Sequence, residues 1–216
     1  GQKLVYNLKQ RKDVDLYATA LDENRLIDKT GYTYLSLDIT DLQSVNRVID
    51  DVKPDVIINT AAMTNVDACE LNKAQCWKIN VEAVKYLVNA SLKYDAHFIH
   101  LSTDFVFDGE SGPYSEKDTP NPLHHYAESK LASEKIVSET SSNYAILRTI
   151  IIYGITDNMS RSNLVLWSKG EIEKGNTIRV VNDQYRSPTL AEDLAEGCVA
   201  VADKNAQGIY HLSGPE

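Results

Sequence analysis

The chain has 216 residues, 43% of them hydrophobic and 25% charged, enough apolar material for a full core and too little bias for disorder. A formal net charge of −9 without a lysine or arginine run disfavours a surface that wraps nucleic acid, which needs a basic stripe to displace counterions. No apolar run is long enough to span a membrane, and Cys69, Cys76 and Cys198 show neither a pairing framework nor metal-ligand spacing, so a reducing, cytoplasmic setting is expected.

Gly1 to Lys9 reads as a helix already under way, with Leu4, Val5 and Leu8 at helical spacing and no cap before them. A strand-like run, Val14 to Ala20, follows. In a dinucleotide-binding fold a strand and a glycine-rich turn precede such a helix. The expectation is therefore that Gly1 is the last glycine of that turn, the alternative being a domain that starts with this helix. Tyr32 to Leu37 reads as a short strand, Leu42 to Val52 as a helix opened by Asp38-Ile39-Thr40-Asp41, and Asp55 to Asn59 as a buried parallel strand. Ala74 to Lys93 reads as a helix with Trp77, Val81, Val84 and Val88 on one stripe. His97 to Leu101 is the next buried strand. The Gly- and Pro-containing stretch Asp108 to Pro122, the helix Tyr126 to Glu139 and the strand Tyr144 to Ile152 complete the series.

This alternation predicts an α/β fold, a Rossmann-like doubly wound parallel sheet with right-handed crossovers and helices on both faces. Residues 1–154 form the expected dinucleotide-binding domain. Residues 155–216, where the alternation loosens, form a smaller substrate-binding segment that stops in mid-motif. Ligands bind such sheets at the carboxyl ends of the strands.

Two stretches at those ends carry chemistry. Tyr126 and Lys130 stand four apart and share a helix face. An ammonium there can favour the phenolate, bring the tyrosine toward neutrality and hydrogen-bond a ribose, and a phenol so tuned suits proton donation to a carbonyl oxygen. The spacing alone is weak, because an ordinary amphipathic helix produces it too; yet among the tyrosines only Tyr126 has lysine at the fourth position. Ser102-Thr103-Asp104 follows a central strand directly, where hydroxyls can meet a substrate carbonyl, although turn chemistry also uses such triplets. Together they are the parts of a ketone reductase.

Four ordered stretches then carry a family resemblance. They are Asn59-Thr60-Ala61-Ala62-Met63-Thr64-Asn65-Val66-Asp67-Ala68-Cys69-Glu70, Ser102 to Gly109, Tyr126-Ala127-Glu128-Ser129-Lys130, and Asp183 to Thr189. The chain resembles the dTDP-4-dehydrorhamnose reductase family of the extended short-chain dehydrogenases/reductases. The resemblance implies hydride transfer from NADPH or NADH to the C4 keto group of a dTDP-linked deoxysugar. It makes Tyr126 the proton donor, Lys130 its tuner and the grip on the nicotinamide ribose, and Thr103 the hydrogen-bond partner of the reacting sugar. Gly1, Asp22, Asp38, Ile39, Ala61, Ala62, Thr64 and Ser102 join Tyr126 and Lys130 on the cofactor side; Val66, Asp67 and Asp104 join Thr103 on the substrate side. Asp22 hints at NADH tolerance but is equally an exposed aspartate after a strand, and Asp38 could simply cap the helix after it. One departure is Ile151, which stands where the family commonly carries a tryptophan. The implied partner is a nucleotide sugar, and the assembly admits a homodimer.

Two other readings stand beside this one. An NAD-bound nucleotide-sugar epimerase or dehydratase would keep the same tyrosine and lysine, although Thr103-Asp104-Phe105 lacks a dehydratase's usual acid pair. A silent subunit resembling the regulatory β subunit of methionine adenosyltransferase would not need Tyr126 and Lys130. The histidines, His97, His100, His124, His125 and His211, lack ligand spacing and are expected to be packing or solvent-facing rather than metal-binding.

Overall fold

In the computed structural model residues 1–159 and 162–214 are described; residues 160, 161, 215 and 216 of the expected C-terminal segment lie outside them. The elements run α1 (Gln2–Leu8), β1 (Tyr17–Ala20), β2 (Thr33–Ser36), α2 (Leu42–Val52), β3 (Val56–Asn59), α3 (Val66–Leu71), α4 (Lys73–Trp77), a π turn (Lys78–Glu82) and α5 (Ala83–Leu92). They continue with β4 (His97–Thr103), a 3-10 turn (Asp104–Val106), α6 (His125–Thr140), β5 (Tyr144–Thr149), β6 (Ile152–Tyr153), α7 (Leu164–Glu173), β7 (Thr189–Leu190), α8 (Ala191–Asp203) and β8 (Gly208–His211).

The main sheet has the order β3-β4-β5-β8, with β1-β2 and β6-β7 as separate pairs, and every pairing among the described residues is parallel. Side chains alternate across its two faces, as the pleat requires. On one face Phe98 and Ile146 pack with Val45, Val48 and Ile49 of α2, Val84, Leu87 and Val88 of α5, and Val137 of α6. On the other, Ile99, Ala145 and Leu147 pack with Leu4 of α1 and with Leu194, Ala195, Cys198 and Val199 of α8. This is the doubly wound arrangement, and each large aliphatic buried in it contributes about 1.5–3 kcal/mol.

The local reasons are legible at α2. The Asp41 side chain accepts from Gln43 N, residues 45, 48 and 49 supply the apolar stripe, and Lys53 leaves the helix at φ 49° ahead of Pro54. The cap is thus Asp41, not Asp38.

The structure corrects the expected helix over 74–93, which contains a π turn. The extra residue in that turn rotates what precedes it out of register, so Trp77 leaves the stripe, lies 38% exposed and stacks on His125, while Asn80 turns inward. β4 runs two residues beyond the expected strand, to Thr103. The expected strand 144–152 divides into β5 and β6 around Ile150 and Ile151, the latter at φ 30°. The expected boundary at residue 154 is crossed by the sheet, because β8 pairs with β5 and α8 packs beneath it.

Candidate active site

α6 is capped by His124, whose Nδ1 accepts from Ala127 N at 3.2 Å, and the helix holds Tyr126 and Lys130 one turn apart at the carboxyl end of β4. Both are buried, at 8% and 2% exposure. Lys130 Nζ donates to Leu101 O at 2.7 Å and lies 3.1 Å from His100 Nε2. Thr103 ends β4: its hydroxyl oxygen accepts from Phe105 N and its proton faces Asp104 Oδ1, both at 3.3 Å. Phe105 meets Tyr126 edge-on, with ring centres 6.2 Å apart.

Burial decides the electrostatics. It pushes the Tyr126 phenol up to about 12, with Asp104 adding to the rise and the neighbouring Thr103 hydroxyl opposing it. This corrects the expectation that Lys130 brings the tyrosine toward neutrality: Lys130 Nζ donates to Leu101 O, and desolvation of the phenolate dominates. Lys130 itself is lowered to about 8 by burial, with Glu134 pulling the other way. Asp104 is raised by burial and held down by Arg186, whose Nη1 donates to its Oδ2 at 2.7 Å. The site is therefore built around a phenol that keeps its proton through the neutral and mildly alkaline range.

The 60–64 loop follows β3 and lies beside Gly1, where an added Cβ would stand 3.3 Å from Thr60 Oγ1. Glycine keeps the backbone close there. Ala61 N donates to Asn59 Oδ1 at 3.1 Å. Asn80 clamps the loop with both ends of its amide, accepting from Met63 N at 2.8 Å and donating to Met63 O at 3.0 Å, and it also reaches Ser129 Oγ on α6. Ala61 and Thr64 are exposed and Ala62 half-buried, open to a ligand. Val66 and Asp67 occupy the first turn of α3, a helix the sequence reading did not expect, capped by Asn65.

Other expected residues are engaged elsewhere. The Ser102 hydroxyl donates to Glu134 Oε1 at 2.5 Å, inside the packed layer between β4 and α6. Ile39 packs against the core. Asp38 Oδ1 accepts from Thr40 N and Thr40 Oγ1, both at 2.8 Å. Asp22, exposed just beyond β1, lines an open depression with Glu23, Asn24, Arg25 and Asn158 and pairs loosely with Arg25 at 3.8 Å. Asn80, His100, Glu134 and Arg186 were not singled out as site residues; the one usable signal was Arg186, which lies in the fourth family-like stretch.

The family model described as RmlD substrate binding domain matches residues 1–216. The chain is 35% identical over 201 residues to a dTDP-4-dehydrorhamnose reductase of Aggregatibacter actinomycetemcomitans, covering 88% of this chain and 67% of that protein. It spans between 55% and 67% of the length of curated relatives such as these. A solved structure of a hypothetical dTDP-4-dehydrorhamnose reductase from Sulfolobus tokodaii superimposes with TM-score 0.86 at 32% identity, covering 100% of this chain and 74% of that one. The dTDP-4-dehydrorhamnose reductase of Bacillus anthracis, solved in complex with NADP, superimposes with TM-score 0.82 at 29% identity, covering 94% and 75%.

Proposed function

The chain belongs to the RmlD substrate binding domain family, and from that membership we propose that it is an oxidoreductase reducing, with NADPH or NADH, the C4 keto group of dTDP-4-dehydro-L-rhamnose. The product is dTDP-L-rhamnose. The observation that carries this reading is the convergence of Tyr126, Lys130 and Thr103 at the carboxyl end of β4.

The nicotinamide, when bound, supplies the hydride that C4 receives. Tyr126 then passes its phenolic proton to the oxygen left with the C–O electron pair. A phenol raised to about 12 arrives at that step protonated. Thr103 orients the same oxygen. Lys130, whose Nζ donates to Leu101 O, is the residue we assign to hold the nicotinamide ribose.

Gly1 and the loop of Ala61, Ala62 and Thr64 suit close backbone approach by a dinucleotide, and Asp22 and Asp38 stand at strand ends on the adenosine side. Val66, Asp67 and Asp104 border the sugar, and residues 155–216 contribute to its binding. Ser102 acts from behind, through Glu134. We assign the reaction to the cytoplasm and to a homodimer; among the described residues no helix is long and apolar enough to cross a membrane. The test is to supply dTDP-4-dehydrorhamnose with each reduced nicotinamide and follow both absorbance and product. Stoichiometric oxidation with formation of dTDP-rhamnose supports the reading. Absence of turnover with both cofactors overturns it.

A further inference from the structure

Beneath Lys130 lies a buried polar chain that the proposed chemistry does not use. His100, with no exposed surface, projects from β4 toward α6. Its Nδ1 is 3.2 Å from Asn59 Nδ2, and its Nε2 is 3.0 Å from Ser133 Oγ and 3.1 Å from Lys130 Nζ. Burial and the lysine together hold this imidazole well below its usual range, so it is neutral and carries one ring proton.

Hydrogen-bond accounting says where that proton is. Asn59 Oδ1 is occupied by Ala61 N–H, which fixes the amide with its NH2 toward His100. Nδ1 must then accept, and the proton sits on Nε2. Ser133 gives its own hydroxyl proton to Lys130 O at 2.7 Å, leaving its oxygen to accept from Nε2–H. Lys130 Nζ therefore faces a donor at 3.1 Å, a contact that favours the amine over the ammonium. With the Asn59 amide turned over, Nδ1 would carry the proton and the Nε2 lone pair would accept from the ammonium.

We propose that Asn59 and His100 are positioning residues that couple the backbone of the 60–64 loop to the protonation of Lys130. The loop sets the amide, the amide sets the tautomer, and the tautomer sets whether Lys130 meets an acceptor. The other groups facing Lys130 are Glu134 on its own helix, Cys76 of α4, and Arg148 of β5 through its pair with Glu134; Cys76 packs against Met63 of the loop, but it carries no tautomer for the loop to set. The catalytic consequence rests on the reductase reading, whereas the tautomer and the titration do not.

Asn59→Asp tests the relay with little change of shape, because a carboxylate can accept from both Ala61 N–H and the imidazole but cannot donate. Nitrogen-15 histidine spectra of the folded chain should show the Nε2–H tautomer, and those of Asn59→Asp the Nδ1–H tautomer. The Lys130 13Cε titration should move up by more than about one pH unit, a tenfold gain in proton affinity. A new negative charge would do part of this by itself, so the replacement is repeated in His100→Leu, where less than half the shift should remain. Equal shifts with and without His100 would overturn the proposal. An unchanged tautomer in Asn59→Asp would also overturn it, and that reading needs no His100 variant to fold. Neither readout requires turnover, so a failed relay and a failed reductase are separately visible; in an active enzyme the alkaline limb of kcat/KM should follow the lysine.

Discussion

Arg186 and Asp104 are joined across 82 residues by a hydrogen bond of 2.7 Å, which ties the loop before β7 to the turn that ends β4. The guanidinium also lies over the Phe105 ring, 4.7 Å from its centre. One cation thus fixes two neighbours of Tyr126. Arg186→Ala should remove the strongest influence that holds the Asp104 carboxyl down against burial, so that carboxyl rises further. In the sugar reduction KM should increase about tenfold, the scale of one charge-assisted hydrogen bond, with a smaller change in kcat. The acid limb of the KM profile should begin at higher pH in the variant, because a raised carboxyl takes up its proton sooner as pH falls. A KM and an acid limb like those of the parent chain would remove Arg186 from the substrate side.

Tyr126→Phe deletes the phenolic proton while keeping a ring of the same shape against Phe105 and His124. Turnover of the keto sugar should fall by at least about 10²-fold, the loss expected for a positioned general acid. Cofactor affinity, measured by quenching of the reduced nicotinamide's fluorescence, should change little. Unchanged turnover would defeat the assignment of Tyr126 as donor.

The lysine makes a stability prediction with a definite sign. Its folded value of about 8 lies below the ordinary lysine value of 10.5. Between those values the unfolded chain holds a proton that the folded chain has released, so stability rises with pH through that window. Tyr126 acts oppositely but later. Its folded value is about 12 against 10, so the fold loses stability only as pH climbs past 10. Urea unfolding at pH 8 and pH 10 should therefore show a gain in the parent chain that Lys130→Met reduces. An equal gain in both chains would mean that other groups carry it.

How much of this was readable beforehand follows from physical scale. α2 matched its expected bounds because its cap, its apolar stripe and the following proline are all local signals. α3 escaped notice because it is only six residues long and buries a single cysteine, whereas α4 was read as the start of the helix from Ala74. The π turn has no compositional mark, and β8 is a half-exposed strand of four residues whose partner lies 63 positions earlier. Tyr126, Lys130 and Thr103 were found because helical spacing and the end of a strand are local properties. The direction of the tyrosine's shift was misjudged because burial depends on the whole fold. His100 was passed over as packing, since its partners come from positions 59, 130 and 133 and meet only in three dimensions.

Glu134 and Arg148 form a buried pair, with Nε donating to Oε1 at 3.0 Å and Nη2 to Oε2 at 2.7 Å, both side chains under 5% exposed. Ser102 donates to the same carboxylate, and the guanidinium stacks over Phe107 at 5.1 Å. Removing one partner leaves the other charge buried and uncompensated, so Glu134→Gln should cost about 3–5 kcal/mol in urea unfolding. Replacing both, as Glu134→Leu with Arg148→Met, should cost far less, because desolvation of the pair offsets most of its attraction. Glu134 also favours the charged form of Lys130 from the next turn of α6. Any folded Glu134 variant should therefore release the lysine proton at lower pH and draw the alkaline limb of the reaction down with it. A variant that lost stability but kept its alkaline limb would show that the pair holds the layer together without reaching the site.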